Sequence, residues 1–315
     1  MHVQSVMLQH GRQLGTLIGL LLLMLVFSLL TPHFLTLSNG MNIAQQTAIN
    51  AIIAVGMTFV IISAGIDLSV GSIVAFSGVV MAGALKADVP LVFALALGLA
   101  AGFLCGCING LLISRGKLPP FIATLGMMSV ARGVVLMISD GRPISGFSPA
   151  FRAFANGEFL AIPAPVWVMG VVYIAAHLVL TRSKLGRYTY AMGGNEEATV
   201  LSGVNVKFHK TMVYGISGLL SGMAAILLTA RLNSAQPIAG MMYELDAIAA
   251  TVIGGTSLMG GEGRMAGTLI GALIMGVLRN GLNLLGVSSF IQQTVIGAVI
   301  IFAVLLDMAL KKRHA

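Results

Sequence analysis

Few residues of this 315-residue chain could do chemistry, and they fall into three groups. The first is Asp67 with Ser69, inside GIDLSVGS (Gly65–Ser72). A carboxylate and a serine at that spacing can cap a helix that starts there. They can equally serve a gate or a partner contact, and both readings stand. A carboxylate at a membrane centre costs about 2.5–3.5 kcal/mol or more, so Asp67 is expected at a cytoplasmic helix end or in a wet cavity. The second group is the glycine-marked polar stretch MGGNEEATVLSGVNV (Met192–Val206). The third is a set of side-chain amides in apolar surroundings: Gln45, Gln46, Asn50, Asn109, Asn280, Asn283, Gln292 and Gln293. Amides can meet the hydroxyls of a passing polar solute. Each can also be helix–helix glue worth about 0.6 kcal/mol.

Other chemistries lack their residues. No G-x-x-x-x-G-K-S/T phosphate loop is present: Gly116-Lys117 is followed by Leu118. Neither H-E-x-x-H nor G-x-S-x-G occurs, and no clustered nucleophile or carboxylate pair marks an enzyme. The six histidines are scattered, and Cys105 and Cys107 sit two apart in an apolar run, so no metal site or disulfide is expected. No cofactor is implied.

The elements that must hold these residues are membrane helices. The chain is 57% hydrophobic and 9% charged, against about 25% charged in soluble domains. So few charges cannot cover a water-facing surface, nor build a groove for nucleic acid despite a net charge of +8. The solvent is therefore lipid, and 39 glycines suit close helix packing there. About 20 apolar residues span a bilayer. Ten segments qualify: 14–31, 43–64, 68–85, 89–114, 119–138, 163–181, 210–230, 241–257, 265–285 and 288–309. The first is too long for a signal peptide and is read as a retained helix. The third and eighth are short and rich in Gly and Ser, as in broken or re-entrant helices. The expected fold is one all-α polytopic domain over residues 1–315.

Sidedness follows from Lys and Arg. With both termini cytoplasmic, the inner segments hold twelve, among them Arg115, Lys117, Arg182, Lys184, Arg187, Lys207, Lys210 and Arg264. The outer segments hold four: Lys86, Arg142, Arg152 and Arg231. Residues 182–209 are then the largest cytoplasmic loop and 140–162 the largest outer one. Arg132 and Arg279 fall in outer thirds of spans and are expected to snorkel. With so few deep charges, the driving energy is expected from a partner pushing on the cytoplasmic loop; a self-contained secondary transporter is the alternative. A faint echo links Ile43–Ile53 to Ile291–Ile301, and Gly65–Ser72 to Gly255–Gly263. Repeated halves or chance would each produce it.

Five stretches carry a resemblance: NAIIAVGMTFVIISAGIDLSVGS (Asn50–Ser72), FIATLGMM with ARG shortly after (Phe121–Gly133), LGRYTYAMGGNEEATVLSGVNV (Leu185–Val206), SAQPIAGMMYELDAIAATVIGGTSLMGG (Ser234–Gly261) and GTLIGALIMGVLRNGLNLLGVSS (Gly267–Ser289). Nearly end to end, the chain resembles the permease subunits of bacterial ABC sugar importers, the ribose type specifically. Allose, xylose and autoinducer permeases are related. The resemblance implies a type II importer fold in the inner membrane, with two permease copies around one path. It implies a periplasmic sugar-binding protein outside and a separate ATPase inside, docked on the 182–209 loop. There a short helix over Asn195–Leu201 would seat in an ATPase groove. Arg187, Gly193, Gly194, Asn195, Glu196, Glu197 and Leu201 are its expected residues. The two glycines suit the turn that starts it, Asn195 caps it, and the two glutamates favour its N-terminal end. With 6% aromatics and the single Trp167, a tight stacked sugar pocket is not expected. Selection would rest with the binding protein.

Overall fold

The chain is described from a computed structural model covering residues 2–312, with side-chain detail for residues 14–302, 304 and 305. Met1 and 313–315 lie outside the described residues, as do the side chains of Arg12, Lys311, Lys312 and Arg313 that entered the sidedness count. Thirteen helices follow one another as α1 (His2–Leu30), α2 (Leu37–Ile62), α3 (Val70–Lys86), α4 (Leu91–Ser114), α5 (Pro120–Ser139), α6 (Pro149–Asn156), α7 (Ala164–Arg182), α8 (Lys184–Gly194), α9 (Glu196–Leu201), α10 (Val206–Leu232), α11 (Tyr243–Ile253), α12 (Met265–Leu284) and α13 (Ser289–Lys312). Four two-residue strands form two antiparallel ribbons: β1 (Ile144–Ser145) with β4 (Ser234–Ala235), and β2 (Glu158–Phe159) with β3 (Ile162–Pro163). The architecture is all-α, as the apolar runs require.

Among the described residues, six helices are long and apolar enough to cross a bilayer: α2, α4, α5, α7, α10 and α12. Leu14–Leu30, Val70–Lys86 and Ser289–Phe302 are apolar but shorter, and α11 has only 11 residues. At 1.5 Å per residue α11 is about 16 Å long, half a hydrocarbon core. All ten expected segments contain helix, and six of them are full-length spans. The broken character expected of the third and eighth is visible in their neighbours. Non-helical chain at 63–69 precedes α3, and non-helical chain at 233–242 and 254–264 flanks α11.

Helix α2 lies at the centre. Every residue from Ala51 to Ile62 is buried, as suits a helix apolar on all sides. Helix α10 is its main buried partner. Helices α4, α5 and α7 form a rim whose outer faces expose Val92, Phe93, Leu104, Val130, Met137, Val171 and Ile174. Such a rim suits lipid or another apolar protein surface.

The α4–α10 crossing is glycine-lined. Gly98, Gly102, Gly106 and Gly110 recur every fourth residue and so share one face of α4. A side chain at Gly102 would strike the Gly218 carbonyl, and one at Gly106 the Tyr214 carbonyl. At Gly110 it would meet the Thr211 Cα at 2.5 Å. The approach is reciprocal, since a side chain at Gly218 would strike the Gly102 carbonyl.

The two ends of the bundle differ. Helix α7 runs from the β2–β3 ribbon to α8, which places α8 and α9 opposite the ribbons. At the ribbon end, α6 is capped by Ser148 and buries Phe151 fully. Lys86 Nζ donates to the Gly146 carbonyl at 2.9 Å, and the Asn233 side chain accepts from Phe147 N at 2.9 Å. Residues 140–162 thus form a folded lid rather than a loose loop.

Overpacking a close helix contact typically costs about 1–3 kcal/mol. Gly102→Leu is therefore expected to lower the apparent melting temperature of the detergent-purified protein markedly. Gly126→Leu, with nothing within 4 Å of the added atom, is expected to leave it nearly unchanged.

Candidate functional site

The surface at the α8–α9 end is built from local capping outward. Ser183 caps α8 by accepting from Gly186 N at 3.1 Å. Asn195 caps α9, its Oδ1 accepting from Ala198 N at 2.9 Å. Glu196 and Glu197 fill the first turn of α9, where the helix dipole favours anions. Lys210 from α10 donates to Glu196 at 2.6 Å. Thr199 is the buried residue of α9, while Val200 and Leu201 are 54% and 88% exposed. Arg187 and Glu197 are exposed on the same end. A short capped helix therefore offers two apolar side chains beside a carboxylate pair.

The glycines act differently from the sequence expectation. Gly193 and Gly194 are the last two residues of α8, and neither has the positive φ of a tight turn. Gly193 is a point of close approach. A side chain there would strike the Ile62 carbonyl at the end of α2 and come within 2.6 Å of Gly261 N. Gly194 faces open space. Gly261 N itself donates to the Ile62 carbonyl at 2.8 Å. A side chain at Gly260 would meet both Ala64 Cβ and the Gly193 carbonyl. Tyr190 Oη donates to the Gly263 carbonyl at 2.7 Å. Burial pushes that hydroxyl above its ordinary pKa, with Arg264 opposing, so it remains a donor at neutral pH. The end of α8 thus rests on the two non-helical segments, 63–69 and 254–264, that the sequence echo pairs.

Asp67 sits in the first of these segments and is fully buried. Its Oδ1 accepts from Ser69 N at 3.0 Å and Ser69 Oγ at 2.5 Å, and its Oδ2 from Ser217 Oγ of α10 at 2.9 Å. Asn109 Nδ2 of α4 donates to Ser69 Oγ at 2.8 Å. Asp67 is thus enclosed rather than water-facing: the Ser69 backbone and hydroxyl and the Ser217 hydroxyl supply its donors. Ser69 stands at the N-cap position of α3, but its hydroxyl makes no cap bond.

The remaining amides separate by partner. Asn280 exchanges two hydrogen bonds with Asn39, at 2.9 and 3.0 Å. Asn283 accepts from Gln292 at 2.7 Å, and Gln45 donates to the Ala155 carbonyl at 3.0 Å. Gln46 and Asn50 instead line a cavity with Thr47, Asp246 and Arg279.

Two charged residues depart from the expected snorkelling. Arg279 Nη2 donates to both oxygens of Asp246, at 2.8 and 2.7 Å. Arg132 Nη1 donates to the Pro237 and Ala239 carbonyls, at 2.5 and 2.9 Å. Asp246 was not singled out by sequence reasoning. The available signal was an acid in one apolar segment and an arginine in the next, since charges inside a bilayer seek one another.

A helical bundle with an apolar rim, buried and compensated charges and a polar end has the features of a membrane transport component. The comparisons give the family. The model described as "Branched-chain amino acid transport system / permease component" matches residues 39–304, and the chain belongs to this family of transport-system permeases. It is 52% identical over 296 residues to the ribose import permease protein of Escherichia coli (strain K12), covering 93% of this chain and 92% of that one. It is 52% identical over 298 residues to the ribose import permease protein of Bacillus subtilis (strain 168), covering 94% and 92%. It is 43% identical over 300 residues to the D-allose transport system permease protein of Escherichia coli (strain K12), covering 95% and 92%. No solved structure matches.

Removing the Asp67 carboxylate strands the Ser69 and Ser217 donors in a dry interior, at about 1–3 kcal/mol for each group left unpaired. Asp67→Ala is expected to lower the melting temperature of the purified protein well below that of Asp67→Asn, which keeps one acceptor. Equal melting temperatures would contradict the network's role.

Proposed function

We propose that this chain is the membrane-spanning permease subunit of an ATP-driven importer that moves ribose from periplasm to cytoplasm. The observation that carries the reading is the 52% identity to two ribose import permeases across more than nine-tenths of the chain. The allose permease, at 43%, supports the sugar class and ranks second for the substrate. The family model's description names amino acids; the similarity to ribose and allose permeases over more than nine-tenths of the chain favours a sugar.

In this reading the chain crosses the inner membrane ten times, with both termini cytoplasmic and the 140–162 lid facing a periplasmic sugar-binding protein. Two copies enclose one path. ATP is hydrolysed by a separate cytoplasmic subunit docked on 182–209, so the chain itself is no enzyme. Leu201 and Val200 enter the ATPase groove, Glu196, Glu197 and Arg187 fix the register by charge, and Asn195 holds the helix in shape. The Gly193 contact hands movement of α8 to the Ile62–Ser69 segment, whose Asp67–Ser69 network keeps it rigid. Gln46 and Asn50 face the path. Gln45, Asn109, Asn280 and Asn283 hold the helices that form it.

The test is uptake into proteoliposomes holding this chain with its partner ATPase, with the binding protein added outside. Ribose accumulation is expected only when all three proteins and internal ATP are present. Glu196→Lys, which reverses the charge at the docking helix, is expected to abolish accumulation and ATPase co-purification while leaving membrane insertion intact. Ribose uptake by the permease alone would return the secondary-transporter reading. Normal uptake and co-purification by Glu196→Lys would remove the docking role.

A further inference from the structure

The Asp246–Arg279 pair is more than a neutralised charge. It lies at the meeting of α11 and α12, and the cavity beside it is lined from α2 by Gln46, Thr47 and Asn50. Burial is uneven across the pair. The Asp246 side chain is 2% exposed and that of Arg279 is 39% exposed. Arg279 spends one nitrogen, Nη2, on both carboxylate oxygens. Its Nε and Nη1 have no hydrogen-bond partner among the described residues, while Asn50 Nδ2 donates to Asp246 Oδ2 at 3.1 Å. Thr47 Oγ1 is fully buried without a partner, and Gly276 leaves it room, since a side chain there would strike that oxygen. Gln46 is half-buried and makes no side-chain hydrogen bond to the described residues.

Unused donors and acceptors thus converge on one small volume: guanidinium N–H groups, a threonine hydroxyl and an unpaired amide. Of these only the Thr47 hydroxyl is fully buried and unpaired; leaving it so is costly, so the cavity favours a guest that pairs it and can also meet the half-exposed groups beside it. The pair has no net charge, which gives an ionic solute no advantage. A solute with adjacent hydroxyls fits, because each hydroxyl both donates and accepts. One can accept from Arg279 while its neighbour donates to Asp246 or the Gln46 carbonyl. No aromatic side chain lines the cavity, so no stacking adds to the hold and release stays easy.

We propose that Gln46, Thr47, Asn50, Asp246 and Arg279 form a low-affinity transit contact that takes an uncharged polyhydroxylated solute one hydroxyl at a time, since the cavity measures about 30 Å³, room for a water-sized group. The site rests on the import reading above, and it adds the ion pair as a group that touches the sugar in passage.

The experiment uses the complete transporter, ATPase and binding protein included, on a Cys105→Ala/Cys107→Ala background. Gln46→Cys is labelled with a small hydrophilic thiol reagent during turnover, with and without ribose. Labelling is expected to slow about fivefold with ribose present, as a hydroxyl-paired guest covers the position. Ribose uptake is also measured for Arg279→Gln, Asp246→Asn and the double variant, in complexes that assemble as the wild type does. Every one of the three is expected to import at a rate lowered about tenfold, because each removes a hydroxyl partner. Full recovery in the double variant would make the pair a structural clamp and overturn the site. So would Gln46→Cys labelling indifferent to ribose while uptake proceeds. Absence of ribose uptake by the unmodified complex would instead overturn the import reading, and the site with it.

Discussion

Close backbone contact between α4 and α10 is the constraint on which the rest of the molecule depends. In lipid, apolar surface gains little by meeting other apolar surface, so helices associate through dispersion and polar contact at short range. Gly102 and Gly106 bring the α4 backbone against the carbonyls of Gly218 and Tyr214. That proximity sets Asn109 and Ser217 on facing helices close enough to serve Ser69 and Asp67. With a larger separation, the same carboxylate would keep only its local Ser69 donors. The glycine face and the buried acid are therefore one arrangement, in which the first makes the second tolerable.

Charge is handled in the same way elsewhere. Asp246 is held by Arg279 and Asn50, and Arg132 is held by two carbonyls of the non-helical chain before α11. Irregular backbone is tolerated at membrane depth only where protein covers it. A side chain at Gly71 would strike the Gly240 carbonyl, so the chain leading to α11 packs directly on the first turn of α3. The interruptions that shorten α3 and α11 are thus packed on one another, and Arg132 fastens one of them.

Much of this was legible in the sequence. Apolar runs gave the helices, and the poverty of charge gave the lipid solvent. The Asn195 cap was readable because capping is local: residue type and spacing are enough. Gly193 was read as a turn residue and is a packing residue, because what it approaches, Ile62 and Gly261, lies far away in sequence. Asp67 was placed near water for the same reason, since its donor Ser217 and the Asn109 that supports Ser69 come from separate helices. Arg279 was read as snorkelling because Asp246, 33 residues earlier, was not weighed as its partner. The amides were legible as a set but not as individuals. Asn280 pairs with Asn39 across the bundle while Asn50 faces a cavity, and nothing local distinguishes them.

The proposed import cycle depends on a rigid connection between the α8–α9 surface and the interior. Gly193 is its narrowest point, where α8 touches both the end of α2 and the chain before α12. The most direct measurement is the number of ribose molecules moved per ATP hydrolysed by the reconstituted complex carrying Gly193→Ala. The added methyl would strike the Ile62 carbonyl and push the two segments apart. If movement passes through this contact, hydrolysis continues while the transport ratio falls about tenfold, the scale of a typical coupling energy between sites. An unchanged ratio in a complex that assembles normally would show that movement reaches the interior by another route and would contradict the account.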